Sequence, residues 1–192
     1  LKGVLHVHSD YSDGGNSISD LKSESERLGY EYLLICDHSK SLTIANGMDE
    51  KDVSSQHQEI DKLNKGKGGC RVLKGIEADI LGDGSVDFDG ALLSAFDVVI
   101  ASVHSKFKMD KAEMTARIIK AIENPDVDII GHPSGRLLLS RGPYQIDTKK
   151  IIDAAAANGK ALEINSHPQR LDLDWRWLMY ARKKKVKLSI GV

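Results

Sequence analysis

The chain has 192 residues, 41% of them hydrophobic and 29% charged, a balance that fits one soluble globular domain with a sizeable core. Its 27 basic and 28 acidic residues leave a formal charge of -1, which excludes a global basic field and confines any nucleic-acid contact to a local patch. Two cysteines, Cys36 and Cys70, with no CxxC spacing argue against a disulfide framework and for a reducing, cytoplasmic setting; no apolar run reaches membrane-spanning length.

Residues 3–14 read GVLHVHSDYSDG. The apolar alternation predicts a strand. Residues two apart share a face, so His6 and His8 present both imidazoles together, with Asp13 in the loop beyond. Such a donor set suits zinc, manganese or iron better than magnesium or calcium. Ser17 then caps a helix over 17–28, with Gly29 as its stop. A strand over 30–36 ends in Asp37-His38, and a polar stretch fills 39–49. A charged helix over 50–65 carries His57 on a solvated face and runs into a Gly/Lys loop. The strand over 71–76 ends in Glu77. An excursion over 78–87 turns at Gly82-Asp83-Gly84.

A short helix over 90–95 leads to a buried-type strand over 97–103, which ends in His104. In the helix over 111–123, Met114, Ile118 and Ile122 stand at helical spacing and read as core. The strand over 128–131 ends in His132-Pro133, and a polar loop with Arg136, Arg141 and Pro143 follows. A helix over 148–158 stops at Gly159, and the strand over 160–164 ends in Asn165. The last helix, over 174–185, has a basic end at Arg182 to Lys185 that reads as solvated; a strand over 186–190 follows. The chain begins with Leu and runs out after a strand, so both ends read as cuts in a longer protein.

About seven strand–helix repeats predict parallel βα units, closed into a barrel or laid out as an open doubly wound sheet. The polar residues point to the barrel. His6, His8, His38, Glu77, His104, His132 and Asn165 each fall at or near the C-terminal end of a strand, the rim on which barrel enzymes build their sites. His167, in the loop after Asn165, lies near that rim but is not counted as a ligand. Five histidines with Asp13 and Glu77 exceed what one metal takes, and a shared carboxylate implies two or three ions. Such centres suit phosphate ester hydrolysis. The competing reading, hydrogen-bonded core histidines, would bury many polar groups at a cost.

The phrases HVHSDYSDG, CDHSKS, GIEADI, ASVHS and GHPSGR resemble the successive motifs of the polymerase and histidinol phosphatase (PHP) superfamily. DHSKSLTIANGMD, GDGSVDF, IIGHPSGRLLLSRGPY and EINSHPQRLDL are most similar to the C-terminal PHP domain of bacterial and archaeal family X DNA polymerases, over nearly the whole chain. The resemblance implies a distorted (β/α)7 barrel with up to three divalent ions at the C-terminal rim. It also implies a manganese-dependent 3′-5′ exonuclease, attached to a polymerase domain in the same chain and acting on DNA 3′ ends.

By position, His6, His8 and Glu77 would hold one metal. Glu77, His104 and His132 would hold a second, with Glu77 bridging, and Asp13 and His38 would serve a third. Asp37 would sit behind the ligands, orienting a histidine. Arg136, Arg141, Asn165 and Arg170 would contact substrate phosphate, although Arg136 and Arg141 also read as ordinary surface arginines. The family's final Asp-x-His would begin where the chain reaches Gly191-Val192, so the first and third sites would each lack a ligand. Cys36 reads as a small apolar core residue.

Hydroxide bridging the ions would attack the terminal phosphodiester and release a 5′-nucleotide. No G-x-S-x-G elbow offers a side-chain nucleophile. Two other readings stay open: a stand-alone phosphomonoesterase of the histidinol-phosphatase or nucleotide-phosphatase type, and a domain that only binds metal or DNA.

Overall fold

The computed structural model describes residues 1–66 and 69–191. Residues 67–68 of the Gly/Lys loop and Val192 lie outside the described residues. Seven parallel strands close in sequence order into a barrel: β1 Gly3–Val7, β2 Tyr32–His38, β3 Arg71–Asp79, β4 Val98–Ser102, β5 Ile129–Ile130, β6 Ala161–Asn165 and β7 Lys187–Gly191. This rules out the open sheet. Among the described residues, β1 meets β7 through the pair Leu5–Gly191. β2 and β3 pair over seven residues, from Tyr32–Arg71 to His38–Glu77.

The helices are α1 Ile18–Arg27, α2 Glu50–Leu63, α3 Gly90–Leu93, α4 Lys111–Ile122, α5 Thr148–Asn158 and α6 Leu178–Lys183. Ser17 caps α1 through the Asp20 N–H, and Asp49 forms a capping box with Asp52 at α2. Gly159 stops α5 at φ +69°, a left-handed turn that favours glycine. The expected last helix is two pieces: a single turn at Trp175–Trp177 precedes α6. The excursion after β3 turns as expected, with Ile80 pairing Val86 in an antiparallel bridge. Among the described residues no helix is long and apolar enough to cross a membrane.

Period-two alternation separates two cores. Inside the barrel pack Leu34, Cys36, Ile100 and Ile129, with Leu5, Leu73, Val98 and Ala161 beside them. Outside, Leu33, Ile35 and Val72 meet Ile18 and Ile60 of α1 and α2. A larger cluster joins Ile76, Val99 and Ile130 to Met114, Ile118 and Ile122 of α4 and to Ile151 and Ile152 of α5. Each fully buried Leu or Ile contributes roughly 1.5–3 kcal/mol. Cys36 packs as a small apolar residue.

Candidate metal centre

Alternation carries the polar residues to the barrel mouth. In β2, Leu34 and Cys36 point inward, so His38, two further on, does too. Asp37 shares the outward face of Leu33 and Ile35. β3 is longer than expected, so Glu77 lies within the strand and Asp79 at its end. Leu73 points inward, and by the same alternation so do Glu77 and Asp79.

β1 departs from the rule. Leu5 packs inside the barrel and Val4 and Val7 outside, so strict alternation would send His6 outward. Instead His6 adopts φ +67°, and the β1–β2 pairing shifts register between Val4 and Val7. This bulge turns His6 into the barrel. His6 and His8 do face one centre, with rings 5.4 Å apart, but through a bulge and not through regular alternation.

Glu77 is that centre. Its Oε1 lies 3.0 Å from His6 Nε2, 2.8 Å from His132 Nε2 and 3.4 Å from His104 Nε2. Its Oε2 lies 3.0 Å from His38 Nδ1 and 3.5 Å from His8 Nε2. Asp13 sits beyond, 3.4 Å from His8 Nδ1 and 3.7 Å from His38 Nε2. All seven expected ligands therefore surround one cavity of about 450 Å³.

Hydrogen bonding does not account for this packing. The Nδ1 atoms of His8, His38 and His132 are buried with no hydrogen-bond partner, although His38 Nδ1 is only 3.0 Å from a carboxylate oxygen. Buried polar atoms without partners are costly, and lone pairs converging beside a carboxylate fit divalent cations. Three overlapping groups can hold one: His6, His8 and Glu77; His8, Asp13 and His38; His38, Glu77 and His104.

Electrostatics agree. Burial pushes the Glu77 carboxyl up. The charges of His6 and His104, with hydrogen bonds from His104 and His132, outweigh this and hold it well below the usual carboxylate range. Burial also pushes His104 down, but the Glu77 charge and the Asp79 hydrogen bond raise it to about 9. For His38 burial wins and, with repulsion from His8 and His104, takes it to about 4. His8 is likewise lowered, by burial first.

Two carboxylates escaped the sequence reading. Asp79 Oδ1 lies 2.6 Å from His104 Nδ1. Glu163 Oε1 lies 2.6 Å from His6 Nδ1, and its Oε2 accepts the His132 N–H at 2.6 Å. The available signal was spacing: each stands two residues from a rim residue already recognised, Glu77 and Asn165, and so shares its face. Asp37 does not orient a histidine. It accepts the Ser9 N–H and hydroxyl at 2.7 and 2.5 Å, the Ser12 hydroxyl at 2.5 Å and the Gln56 amide at 2.7 Å, pinning the loop after β1 to α2. Its outward position decides this. His57 is not solvated; it is half-buried, edge-on to Phe96 at 4.8 Å.

The four expected phosphate contacts separate into two pairs. Asn165 and Arg170 line the histidine cavity together with His167, and Arg170 Nη1 is buried without a hydrogen-bond partner. Arg136 and Arg141 line a neighbouring cavity of about 620 Å³. Arg136 donates to the Arg170 carbonyl at 2.8 Å, the Asp174 carboxylate at 2.6 Å and the Leu171 carbonyl. Arg141 donates to the Gly135 carbonyl at 2.9 Å and stacks over Phe107. Arg136 thus braces the chain at Arg170 and Leu171, next to the histidine cavity, and Arg141 braces its own loop.

Comparisons with known proteins agree with the fold. The chain is 43% identical over 191 residues to the DNA polymerase/3′-5′ exonuclease PolX of Bacillus subtilis (strain 168); this covers all of the chain but 34% of that protein, about a third of its length. It is 29% identical to a probable phosphatase of Thermoanaerobacter sp. (strain X514), over all of the chain and 78% of that relative. A histidinol phosphate phosphatase from Lactococcus lactis subsp. lactis Il1403, solved with zinc, L-histidinol and phosphate, shares the fold with a TM-score of 0.66 at 19% identity, covering all of this chain and 85% of that one. Residues 5–167 match the PHP domain, from the bulged first strand to the loop after β6, and the chain belongs to the PHP family.

Proposed function

We propose that this chain is a metal-dependent phosphoesterase domain acting on the 3′ ends of DNA, as the hydrolytic part of a longer family X polymerase. The observation that carries the reading is the convergence of five imidazoles within 3.5 Å of the two oxygens of Glu77. His6, His8, Asp13, His38, Glu77, His104 and His132 would hold two or three ions, zinc or manganese, with iron a further candidate. Bound there, such ions supply an activated water at neutral pH and neutralise phosphate oxygens.

The chain's own residues do the rest. Glu77 presents one oxygen to His6, His104 and His132 and the other to His8 and His38, so it can be shared between ions. Asp79 orients His104. Arg170, which lines the cavity and keeps one guanidinium nitrogen without a partner, is the candidate for charge-assisted hydrogen bonds to a substrate phosphate, flanked by Asn165 and His167. The similarity to PolX over the whole chain supports a DNA end as substrate and a polymerase domain as its partner in a longer protein; a cytoplasmic setting accords with both.

The second reading, a phosphomonoesterase, is favoured by the probable phosphatase that the chain matches end to end. Elemental analysis of the purified chain, run beside degradation of a 3′-labelled single-stranded oligonucleotide in manganese, tests the proposal. Two or more metals with shortening from the 3′ end support it. Bound metal with hydrolysis of only p-nitrophenyl phosphate or a nucleoside monophosphate moves the assignment to the phosphomonoesterase. Absence of metal overturns both.

A further inference from the structure

Glu163 belongs to none of the candidate ligand groups found among the described residues. It is nonetheless buried, at 1% exposure, and both of its oxygens are engaged at the site. The residues it holds are the two rim histidines with left-handed backbones, His6 at φ +67° and His132 at φ +23°. Non-glycine residues adopt such conformations at a cost and keep them only where the surroundings enforce them. From β6, Glu163 reaches the end of β5 on one side and, past β7, the bulge of β1 on the other. The chain leaves room for that reach. A Cβ on Gly191 would lie 1.9 Å from Glu163 Oε1 and 3.2 Å from His6 Cβ.

We propose that Glu163 is a positioning residue that sets the tautomer of His6 and the backbone of His132, aiming both imidazoles at the metal centre. This rests on the metal-centre reading above. A carboxylate accepts only, so the groups facing Glu163 must donate: the His132 N–H and the Asn165 amide (3.5 Å) to Oε2, and the Nδ1–H of His6 to Oε1. With its proton on Nδ1, His6 keeps the Nε2 lone pair on the Glu77 side, where a cation would be held. Glutamine cannot do the same. Its NH₂ must face either the His132 N–H, donor against donor, or His6 Nδ1. The second choice drives the imidazole proton to Nε2 and blocks the ligand atom.

The experiment is equilibrium dialysis of the wild-type chain and Glu163→Gln against Mn²⁺ or Zn²⁺ at neutral pH, followed by elemental analysis, with circular dichroism to confirm folding. The expected result is a folded variant whose metal binding is about 10–100-fold weaker. A second measurement does not depend on the variant: ¹H–¹⁵N spectra of the zinc-loaded wild type should show His6 protonated at Nδ1 and proton-free at Nε2. A folded Glu163→Gln that binds as tightly as wild type overturns the proposal, as does a wild-type His6 with its proton on Nε2. A wild-type chain that takes up no metal overturns the metal-centre reading and this inference with it. That outcome is read from the wild-type sample alone, so the two failures are distinguishable.

Discussion

Five imidazoles share two oxygens at Glu77, and this surplus governs what single substitutions do. Glu77→Ala removes the carboxylate common to two of the three candidate ligand groups. The expected outcome is loss of bound metal and of phosphoesterase activity with the far-ultraviolet spectrum retained, checked by elemental analysis and circular dichroism. The metal-free protein should also respond to pH through His104, which the Glu77 charge and the Asp79 hydrogen bond hold at about 9 against the pull of burial. A histidine whose folded pKa is raised favours the protonated folded form. Its contribution is complete below the unfolded value of about 6.5 and is lost as pH rises through about 9. Chelator-treated protein should therefore lose thermal stability across that interval, while metal affinity rises, because the ion competes with the proton for His104 Nε2. Titrating metal into weakly buffered apo-protein at pH 7 with an indicator dye should register proton release. Its absence would mean His104 is not a ligand.

At the scale of elements, the strands deliver ligands and the connections hold them still. Arg117 of α4 is buried and donates to the carbonyls of Ile80, of Leu81 at 2.8 Å and of Ser105 at 2.8 Å, stapling the excursion after β3 to the loop after β4. Arg117→Leu strands these acceptors, and a loss of roughly 3 kcal/mol in unfolding free energy is expected in denaturant titration. Gly191 gives the opposite kind of test. Gly191→Ala places a methyl against Glu163 where β7 meets β1. Overpacking of this kind typically costs about 1–3 kcal/mol, and the melting temperature should fall together with metal content, since the displaced carboxylate holds His6.

At the scale of the whole molecule, a closed barrel brings residues from 6 to 170 to one mouth, with a second cavity beside it. Arg170 lines the histidine cavity, whereas Arg136 is spent on bracing the chain next to it. Arg170→Ala should raise KM for a 3′-labelled oligonucleotide while leaving metal content unchanged. Arg136→Ala should lower the melting temperature first, because it releases the Asp174 carboxylate and two backbone carbonyls. Equal KM effects from the two variants would show that their roles are not divided.

Much of this was legible before the fold was known. Strand and helix patterning needs only local spacing, and the repeating placement of His38, Glu77, His104 and His132 at strand ends already implied a shared rim, since all strands of a parallel barrel point the same way. What the residue pattern left open is what depends on contacts between distant segments. Barrel closure rests on β1 meeting β7, the two ends of the sheet. The inward turn of His6 requires a bulge that breaks the alternation from which its direction had been inferred. The outward face of Asp37 commits it to Ser9, Ser12 and Gln56. Glu163 and Asp79 reveal themselves as partners of His6 and His104 only when β6 lies near β1 and β3 beside β4. The sequence by itself determined the element order and the donor set, because these follow from short-range periodicity and residue chemistry. Only the tertiary structure decided which carboxylate orients which imidazole, because a hydrogen bond of 2.6 Å between residues 157 positions apart depends on strand neighbourhood and on a locally reversed φ, and neither leaves a periodic mark in the chain.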